Sequence, residues 1–443
     1  PAPIVQVMSH SSHDVIIIGS GLAGAAAAYR LSSHTKRILV IEARTRLGGR
    51  AYARPFRNES DSELLEYGGS WITPWHERIR SLCGELGLTL RPRTPIRERL
   101  ALRDSGPAPL VFDSEAERMA HQRALARIAA DAMLLKAGLE QNEKGEPLTG
   151  LSYAQYMARL DPPPATRALQ DAWWTVSGGA PMAEASAGEF LHSCAYDSGI
   201  AEDMINVWAH TVEPSMDTLA QRLIAASGAA VVTDSPVASV AQSETAVRVT
   251  LASGERHDAS QAIIATGINP MRAITFSPPL ANLPDAAVTR GQRGRAFKLW
   301  IKARGVPVGR LITGDGTGVQ LLFGERTAAD GSTLLIGFGL HDEHAPLADA
   351  SWVRAQFARL CPNAEFVGYD WHDWPADPHA RGTWVSTPYD LAHAFTAEAW
   401  TPQGRIAFAS SDIAPENAGW FEGAVISGER AADWVISGSP SPH

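Results

Sequence analysis

The sequence contains only three cysteines in 443 residues: Cys83, Cys194 and Cys361. Three thiols scattered in this way exclude a disulfide framework and a cysteine-based metal site, because both need paired, closely spaced ligands. We therefore predict no bound metal. The lack of disulfides fits a reducing compartment.

A basic surface is also missing. The formal net charge is −9, and no stretch of the chain concentrates lysine and arginine. Nucleic-acid binding depends on a face that neutralises phosphates, so the sequence argues against a nucleic-acid partner.

Long apolar runs are absent as well. No segment approaches the roughly 18 consecutive apolar residues of a membrane span, and residues 1–13 lack the apolar core of a secretion signal. The expected location is therefore cytoplasmic, with no membrane partner. Hydrophobic residues make up 45% and charged residues 20% of the chain, as in a soluble globular protein. A length of 443 residues predicts two domains.

What is present begins with a glycine-rich turn between two apolar segments. Residues 14–18 (DVIII) and 38–41 (ILVI) have the pattern of buried parallel strands, and helix-forming residues lie between them. Gly19, Gly21 and Gly24 suit a tight turn, the close approach of a pyrophosphate and the close packing of helix on strand.

The helix after this turn would begin near Leu22 and Ala23. Its N-terminal amides would then face the phosphates, where the helix dipole favours negative charge. Glu42 ends the second strand, where a carboxylate can accept hydrogen bonds from a ribose. Strand, turn, helix, strand and acid follow one another within about 30 residues, the span expected of a dinucleotide-binding unit. The alternative is a glycine turn with a purely structural role.

A second glycine pair follows directly, in residues 48–50 (GGR). A guanidinium can fork onto a phosphate and supply a second pyrophosphate contact, although this triplet alone could be a surface loop. With the preceding residues 42–44 (EAR), the stretch resembles the N-terminal signature of the flavin-dependent amine oxidases. Residues 65–72 (LEYGGSWI) resemble the next flavin loop of that family. The resemblance implies FAD rather than NAD.

This resemblance covers most of the chain and is specific in residues 14–76, 232–300 and 371–434. It implies an α/β, two-domain FAD-linked amine oxidase fold. A Rossmann-like FAD domain of the glutathione reductase type would join a mixed-sheet and helical substrate domain. The expected boundaries are 14–85, 213–285 and 390–434 for the FAD domain, and 86–212 and 286–389 for the substrate domain.

The pattern of the remaining chain is mainly helical. Residues 114–140 repeat apolar side chains at helical spacing. Residues 92–109 are rich in proline and arginine and are expected to be irregular, and we expect no alternating strands in residues 90–212. A later helix is predicted with Asp217 as its N-cap and Gly228 as its end.

Two positions depart from the family pattern. Pro214-Ser215 stands where two glycines are usual, and Ser410 replaces a glycine that lies close to the cofactor. Either the Ser410 hydroxyl contacts the flavin or the backbone shifts, and the sequence does not decide between these alternatives.

The residues that resemble the family's catalytic centre are aromatic. The lone pair of a neutral amine drives hydride transfer to a flavin, so no strong general base is required. By resemblance, Trp420 in residues 418–432 and Trp384 in residues 382–384 (GTW) sandwich the amine in front of the flavin. The alternative is that these tryptophans are ordinary core residues.

Lys298, in an apolar strand, resembles the family lysine that reaches the flavin N5 through a water. Positive charge there would favour electron transfer to oxygen. Lys302 is the rival, since it lies on the same strand face. Mammalian-type members carry a flavin-linked cysteine at the position of Thr383. Threonine cannot form that thioether, so the resemblance implies non-covalent FAD.

The resemblance also assigns cofactor contacts, including a backbone contact from Val237 to the adenine. The assigned residues are Gly19, Gly21, Leu22, Ala23, Gly24, Glu42, Ala43, Arg44, Gly49, Arg50, Gly68, Gly69, Ser70, Trp71, Val237, Thr266, Trp374, Ser411, Asp412, Phe421 and Ala424.

The expected activity is oxidation of a hydrophobic or aromatic primary or secondary amine to an imine. The imine would be hydrolysed to an aldehyde or ketone, and O2 would be reduced to H2O2. The alternatives are a dehydrogenase that uses a protein or quinone acceptor, and an amino-acid or polyamine oxidase, for which Arg54 and Glu77 stay candidates.

The oligomeric state is left open, a homodimer being one alternative. Core positions are favoured over pocket positions for most of a further set of aromatic residues: Tyr153, Tyr156, Trp173, Trp174, Phe190 and Tyr196.

Overall fold

A computed structural model describes residues 13–35, 37–57, 64–109, 114–197, 209–341 and 345–438, without the side chains of 196 and 197. The strands in these ranges are β1 (His13–Ile18), β2 (Ile38–Ile41), β3 (Ala53–Arg54), β4 (Leu65–Glu66), β5 (Leu90–Pro92), β6 (Glu98–Arg103), β7 (Gly106–Pro109), β8 (His210–Val212), β9 (Ala230–Val232), β10 (Val237–Gln242), β11 (Val247–Leu251), β12 (Arg256–Ile264), β13 (Thr275–Ser277), β14 (Ala296–Arg304), β15 (Arg310–Thr313), β16 (Leu321–Thr327), β17 (Thr333–Leu340), β18 (Glu365–Trp371) and β19 (Ile406–Phe408).

The helices in the same ranges are α1 (Leu22–Leu31), α2 (Glu77–Glu85), α3 (Glu115–Lys136), α4 (Tyr153–Leu160), α5 (Pro164–Gly178), α6 (Ala187–Asp197), α7 (Met216–Ser227), α8 (Ile268–Met271), α9 (Asp285–Arg290), α10 (Ala350–Leu360) and α11 (Phe421–Ile436). Short 3-10 helices occupy Tyr389–Phe395 and Ser411–Ile413. No helix among the described residues is long and apolar enough to cross a membrane.

The glycine turn belongs to an eight-stranded sheet in the order β13-β10-β11-β12-β1-β2-β9, with β19 beside β12. β12 has different neighbours along its length, because its first half pairs with antiparallel β11 and its second half with parallel β19. The parallel part of the sheet is therefore β9-β2-β1-β12-β19. The carboxyl ends of these strands meet at one edge, where α/β sheets bind their ligands.

The apolar runs of β1 and β2 are explained by burial on both faces. Val15 and Ile17 pack with α1, α7 and α11, whereas Ile16 and Ile18 pack with residues of β10–β12 and the segment before β19. Successive strand residues point to opposite faces, so a strand covered on both sides must be apolar throughout. The prediction of buried parallel strands is confirmed.

A second, seven-stranded sheet has the order β18-β14-β17-β16-β15-β6-β7. Its pairs are antiparallel except for β15 with β6. Helices α3–α6 cover one face, in contact with Trp300 and Phe338, and α10 covers the other, in contact with Phe297 and Leu299. The alternation along β14 therefore turns Lys298 and Trp300 away from α10.

The expectation of irregular structure in residues 92–109 is wrong, and so is that of a section 90–212 without strands. β6 and β7 form a hairpin, and Glu98–Ala101 of β6 pair in parallel with β15. Pro107 and Pro109 lie on β7, at the edge of the sheet, where a missing backbone N–H is tolerated. The strand depends on a partner about two hundred residues away, which local composition cannot reveal.

The start of α7 also differs from the prediction. Ser215, in extended conformation, is the N-cap, and Asp217 lies inside the helix and accepts a hydrogen bond from the Ser215 hydroxyl at 2.5 Å. The predicted end is confirmed, since Gly228 is the left-handed C-cap with φ of 68°.

Candidate active site

A cavity of about 400 Å3 extends from the carboxyl edge of the parallel strands to the helix-covered face of the second sheet. At one end it is lined by Gly19 after β1, Glu42 after β2 and Thr266 after β12. At the other end it is lined by Lys298 of β14 and Phe338 of β17. Both sheets therefore contribute to one site.

The glycine turn has the geometry that its sequence predicts. Gly19 has a φ of 107°, and a Cβ there would lie 2.6 Å from the carbonyl oxygen of Ala265. A Cβ on Gly24 would lie 2.0 Å from the Gly19 oxygen, so only glycine lets α1 start so close to β1. A Cβ on Gly21 would meet only the Cα of Gly49, at 3.8 Å, among the described atoms. Gly21 thus leaves space free in the cavity wall.

Two helices begin at this cavity without a side-chain cap. The N-caps are Gly21 for α1 and Trp420 for α11, and neither side chain accepts a hydrogen bond from the first turn. Leu22 and Phe421, the first residues of these helices, line the cavity. Uncapped N-terminal amides carry partial positive charge, so both helix ends favour an anionic group.

Glu42 is held rigidly at the end of β2. Its carboxylate accepts hydrogen bonds from Ser20 N at 2.9 Å, Ser20 Oγ at 2.6 Å and Arg44 N at 2.9 Å. The Glu42 carbonyl accepts from Ser235 N at 3.0 Å, which draws the turn before β10 to the same end. Val237 consequently lines the cavity beside Glu42.

Arg50 joins segments that are distant in sequence. Its terminal nitrogens donate to the Thr383 carbonyl, the Ser411 hydroxyl and the Asp412 carboxylate, each at 2.7 Å. Arg44 similarly pairs with Asp377 at 2.8 Å. Both guanidinium groups line the cavity while binding protein acceptors. The phosphate contact expected of Arg50 stays a prediction.

Ser410 is accommodated by an ordinary extended backbone with φ of −165°. Its hydroxyl accepts a hydrogen bond from Asp412 N at 3.2 Å and so caps the 3-10 helix Ser411–Ile413. Serine at this position therefore needs no left-handed backbone.

Lys298 is buried at the far end of the cavity. Its ammonium donates to the Gly68 carbonyl at 2.9 Å and to the Ser70 hydroxyl. Burial lowers the pKa of Lys298 to about 8, although the nearby Glu66 carboxylate opposes the shift. Burial also raises the pKa of Glu66 to about 7, partly offset by a hydrogen bond from Met216 N.

Lys302, the rival lysine, does not line the cavity. Its ammonium lies 3.1 Å from the carboxylate of Asp330, which precedes β17. Lys298 is the strand lysine that reaches the site.

The two predicted tryptophans both line the cavity. A Cβ on Gly419, the residue before Trp420, would lie 3.8 Å from the Cβ of Trp384. Trp384 meets Phe338 edge-on, with ring centroids 6.4 Å apart. Trp420 packs on His76, with ring centroids 5.3 Å apart. Burial lowers the pKa of His76 to about 3. Both indoles are partly exposed into the cavity.

Nearly all the predicted site residues line this cavity. The exceptions are Gly24, which packs against the Gly19 carbonyl, and Asp412, which lies behind the wall and holds Arg50. The predicted residues that line it are Gly19, Gly21, Leu22, Ala23, Glu42, Ala43, Arg44, Gly49, Arg50, Gly68, Gly69, Ser70, Trp71, Val237, Thr266, Lys298, Trp374, Trp384, Ser411, Trp420, Phe421 and Ala424.

The other aromatic candidates divide as expected. Trp174 lines the cavity, and the side chain of Tyr196 lies outside the described residues. The remaining members belong to the core between α3–α6 and the second sheet: Tyr153, Tyr156, Trp173 and Phe190. A terminal nitrogen of Arg54 donates to the carboxylate of the buried Asp370 at 2.5 Å. Neither Arg54 nor Glu77 lines the cavity.

Sequence reasoning missed Glu189, on the first turn of α6, which lines the cavity together with Ser177 and Ser193. A sequence signal existed, because Glu189 is an acid directly before the buried residues Phe190 and Leu191 of a helix. The pattern alone could not show that this acid faces a cavity.

The cavity suits a dinucleotide. Its volume lies within the range of about 300–1,000 Å3 typical of ligand sites. The side-chain polar atoms of Thr266, Thr383 and Trp384 are buried at its wall without a hydrogen-bond partner among the described residues. Together with Glu42 and the two uncapped helix ends, these groups offer the donors and acceptors that FAD requires.

The fold and the cavity define a dinucleotide-binding protein whose cavity extends to a second sheet. A sequence profile of the flavin-containing amine oxidoreductases matches residues 22–436. The chain belongs to this family, whose cofactor is FAD.

Individual relatives cover almost the whole chain. (S)-6-Hydroxynicotine oxidase of Paenarthrobacter nicotinovorans is 30% identical over 96% of this chain and 99% of its own length. Pseudooxynicotine dehydrogenase of a Pseudomonas species is 25% identical over 97% and 88%. A solved structure of putrescine oxidase bound to putrescine aligns with a TM-score of 0.82 and 26% identity, covering 96% of this chain and 99% of that one.

Proposed function

We propose that this protein oxidises a hydrophobic or aromatic primary or secondary amine to an imine, which water hydrolyses to an aldehyde or ketone. FAD, when bound, accepts the hydride from the carbon next to nitrogen and passes the two electrons to O2, which becomes H2O2. The observation that carries this proposal is the joint position of Trp384, Trp420 and Lys298 at one end of the cavity.

The two tryptophans would bind and orient the amine. Their partly exposed rings, with Phe338 and Trp174, form an apolar slot that excludes water from an amine substituent. The main effect of such aromatic walls is to orient the α-carbon, because the neutral amine supplies its own electron pair. The charged amine lacks that pair, so the slot must hold the neutral form.

Lys298 would assist the step that involves oxygen. Its ammonium is buried and held by Gly68 and Ser70. A fixed positive charge stabilises negative charge as it develops on reduced oxygen. No other lysine lines the cavity among the described residues.

FAD would be held without a covalent bond. Thr383 lies in the cavity wall, and a threonine hydroxyl cannot form a thioether. The three cysteines, Cys83, Cys194 and Cys361, are buried and do not line the cavity. Burial also raises the pKa of Cys83 and Cys361 to about 11 and 12, which disfavours the reactive thiolate.

We assign the FAD domain to residues 14–85, 213–285 and 390–434, and the substrate domain to 86–212 and 286–389. The distribution of strands between the two large sheets supports this division. The same division leaves the lining residues Trp384 and Trp420 in different domains.

The electron acceptor separates this proposal from its alternative. The relatives include proteins named oxidase and dehydrogenase, so the family is compatible with O2 or with another acceptor. The fixed charge of Lys298 favours O2. Anaerobic addition of hydrophobic amines to the purified flavoprotein should bleach its absorption, and admission of air should restore it. If no amine bleaches the flavin, the proposed activity is wrong; if air fails to restore it, the acceptor is not oxygen.

A further inference from the structure

The starts of helices α2 and α11 are held together by one carboxylate. Glu422, in the first turn of α11, accepts hydrogen bonds from Arg78 N and Ile79 N of α2, each at 2.8 Å. It thereby satisfies amides at the start of α2, whose own N-cap residue, His76, makes no side-chain cap. The backbone at the start of α11 is therefore fixed next to His76, and with it the position of Trp420, the N-cap of α11.

This backbone does not by itself fix the orientation of the Trp420 indole, which is partly exposed into the cavity. The indole packs against the apolar cluster between α3–α6 and the second sheet, but such contacts are not directional. It also meets the ring of His76 edge-to-face, with ring centroids 5.3 Å apart and ring planes at 64°. No second aromatic ring packs against Trp420 within the described ranges. His76 is therefore the aromatic contact that can orient this indole.

The hydrogen-bonding state of His76 follows from its surroundings. Thr73 N donates to its Nδ1 at 3.2 Å, so the neutral imidazole carries its proton on Nε2. Nε2 is buried and has no hydrogen-bond partner among the described residues. A buried donor without an acceptor is costly, and the face of an aromatic ring can accept such an N–H. The ring that lies against His76 is that of Trp420.

We propose that His76 is a positioning residue whose Nε2–H donates to the face of the Trp420 indole and holds it in the orientation that forms the wall of the substrate slot. This inference rests on the proposed amine oxidation. His76 does not itself line the cavity, so it acts on the amine only through Trp420. Without this contact the indole samples other orientations, and the amine spends less time with its α-carbon in a reactive position.

Two amide replacements separate the two nitrogens of His76. His76→Asn keeps an acceptor close to the position of Nδ1 but lacks a donor at the distal position, whereas His76→Gln places an amide N–H near the position of Nε2. With a hydrophobic monoamine, anaerobic flavin reduction should slow about 2- to 10-fold in His76→Asn, the size expected of one edge-to-face contact. Reduction should stay close to the wild-type rate in His76→Gln.

A double variant tests whether His76 acts through Trp420. In the Trp420→Ala background, His76→Asn should cause no further loss of the reduction rate, because the ring that it orients is gone. Trp75→Phe is the control, since Trp75 precedes His76 but is 47% exposed and does not line the cavity. This variant should reduce at the wild-type rate.

The indole can also be observed without turnover. The purified flavoprotein would be labelled with 5-fluorotryptophan, and the fluorine resonance of Trp420 would be assigned by its loss in Trp420→Phe. This resonance should shift or broaden in His76→Asn and keep its position in His76→Gln. The resonance of Trp352, on α10 at the opposite face of the second sheet, should stay unchanged in both variants.

The outcomes are distinct. An unchanged Trp420 resonance in His76→Asn, an additive loss in the Trp420→Ala background, or equal losses in His76→Asn and His76→Gln would overturn the inference and leave the proposed function standing. If His76→Asn folds poorly, His76→Phe, which keeps an aromatic ring and removes both nitrogens, takes its place with the same expected results. If no amine bleaches the wild-type flavin, the proposed function fails, and the fluorine spectra still decide whether His76 orients Trp420.

Discussion

Replacement of Glu42 by alanine should weaken FAD binding while leaving the fold intact. The carboxylate is almost fully buried and accepts three hydrogen bonds, two from Ser20 and one from Arg44 N. These contacts orient it at the end of β2, where a ribose would donate to the same oxygens. Alanine removes the acceptor for the ribose and leaves the backbone amides of Ser20 and Arg44 unpaired once the ligand excludes water.

The expected loss can be estimated from the bonds to a charged group. Such hydrogen bonds contribute about 1.5–3 kcal/mol, which corresponds to a roughly 10- to 150-fold higher Kd for FAD. Apoprotein would be titrated with FAD, and binding followed by the change in flavin fluorescence. Ser20→Ala is the matched control, because it removes one hydroxyl donor and retains both the Glu42 carboxylate and the Ser20 amide.

The order of affinities should be wild type, then Ser20→Ala, then Glu42→Ala. Thermal melts of the apoproteins separate binding from folding, since a binding role requires a loss of affinity larger than the change in apoprotein Tm explains. An unaltered Kd in Glu42→Ala would refute the assignment of this carboxylate to the ribose. Weaker binding that merely follows a large drop in Tm would refute it equally.

The remaining predictions concern the other end of the cavity. Trp384→Ala or Trp420→Ala should slow anaerobic flavin reduction about 10- to 1000-fold, or roughly 1.4–4 kcal/mol, with FAD content retained; normal reduction with a lowered Tm would make the tryptophans core residues. Lys298→Met should slow reoxidation by O2 far more than reduction, as measured in stopped-flow half-reactions. Because burial lowers the pKa of Lys298 from 10.5 to about 8, its charge is present below that pH and lost above it, so wild-type reoxidation should slow as pH rises through about 8. The Lys298→Met profile should be flat there, and a parallel profile would exclude the lysine. Acid denaturation should release free FAD into the supernatant, since Thr383 cannot link it; flavin that stays with the precipitate would contradict this.

The sequence was most informative where structure is local. β1, its turn, α1 and β2 follow one another directly, and each is specified by short-range chemistry such as the φ of 107° at Gly19. The same holds for α4, which spans Tyr153–Leu160. Ser152 and Gln155 form a capping box there, which is a purely local signal.

The sequence was least informative where a residue depends on a distant partner. β6 forms because it pairs with β15 through parallel backbone hydrogen bonding. Arg50 binds Ser411 and Asp412, more than three hundred residues away, so its sequence context could not show that protein acceptors hold both terminal nitrogens. In the sequence, Glu189 is one acid in a helix. Only the fold shows that Thr387 N donates a hydrogen bond to it and that it shares a cavity with Trp384.

β14 shows that a correct prediction of the strand face on which a residue lies does not assign its function. Lys298 and Lys302 are four residues apart and share a strand face, yet at about 3.3 Å per residue their Cα atoms lie roughly 13 Å apart. That distance is enough to place Lys298 against Gly68 and Ser70 in the cavity and Lys302 against Asp330 outside it. The same residue type therefore contributes a charge to the site at one position and a stabilising ion pair at the other. Periodicity determines which face a side chain occupies, but only the extent of the cavity determines which lysine lines it.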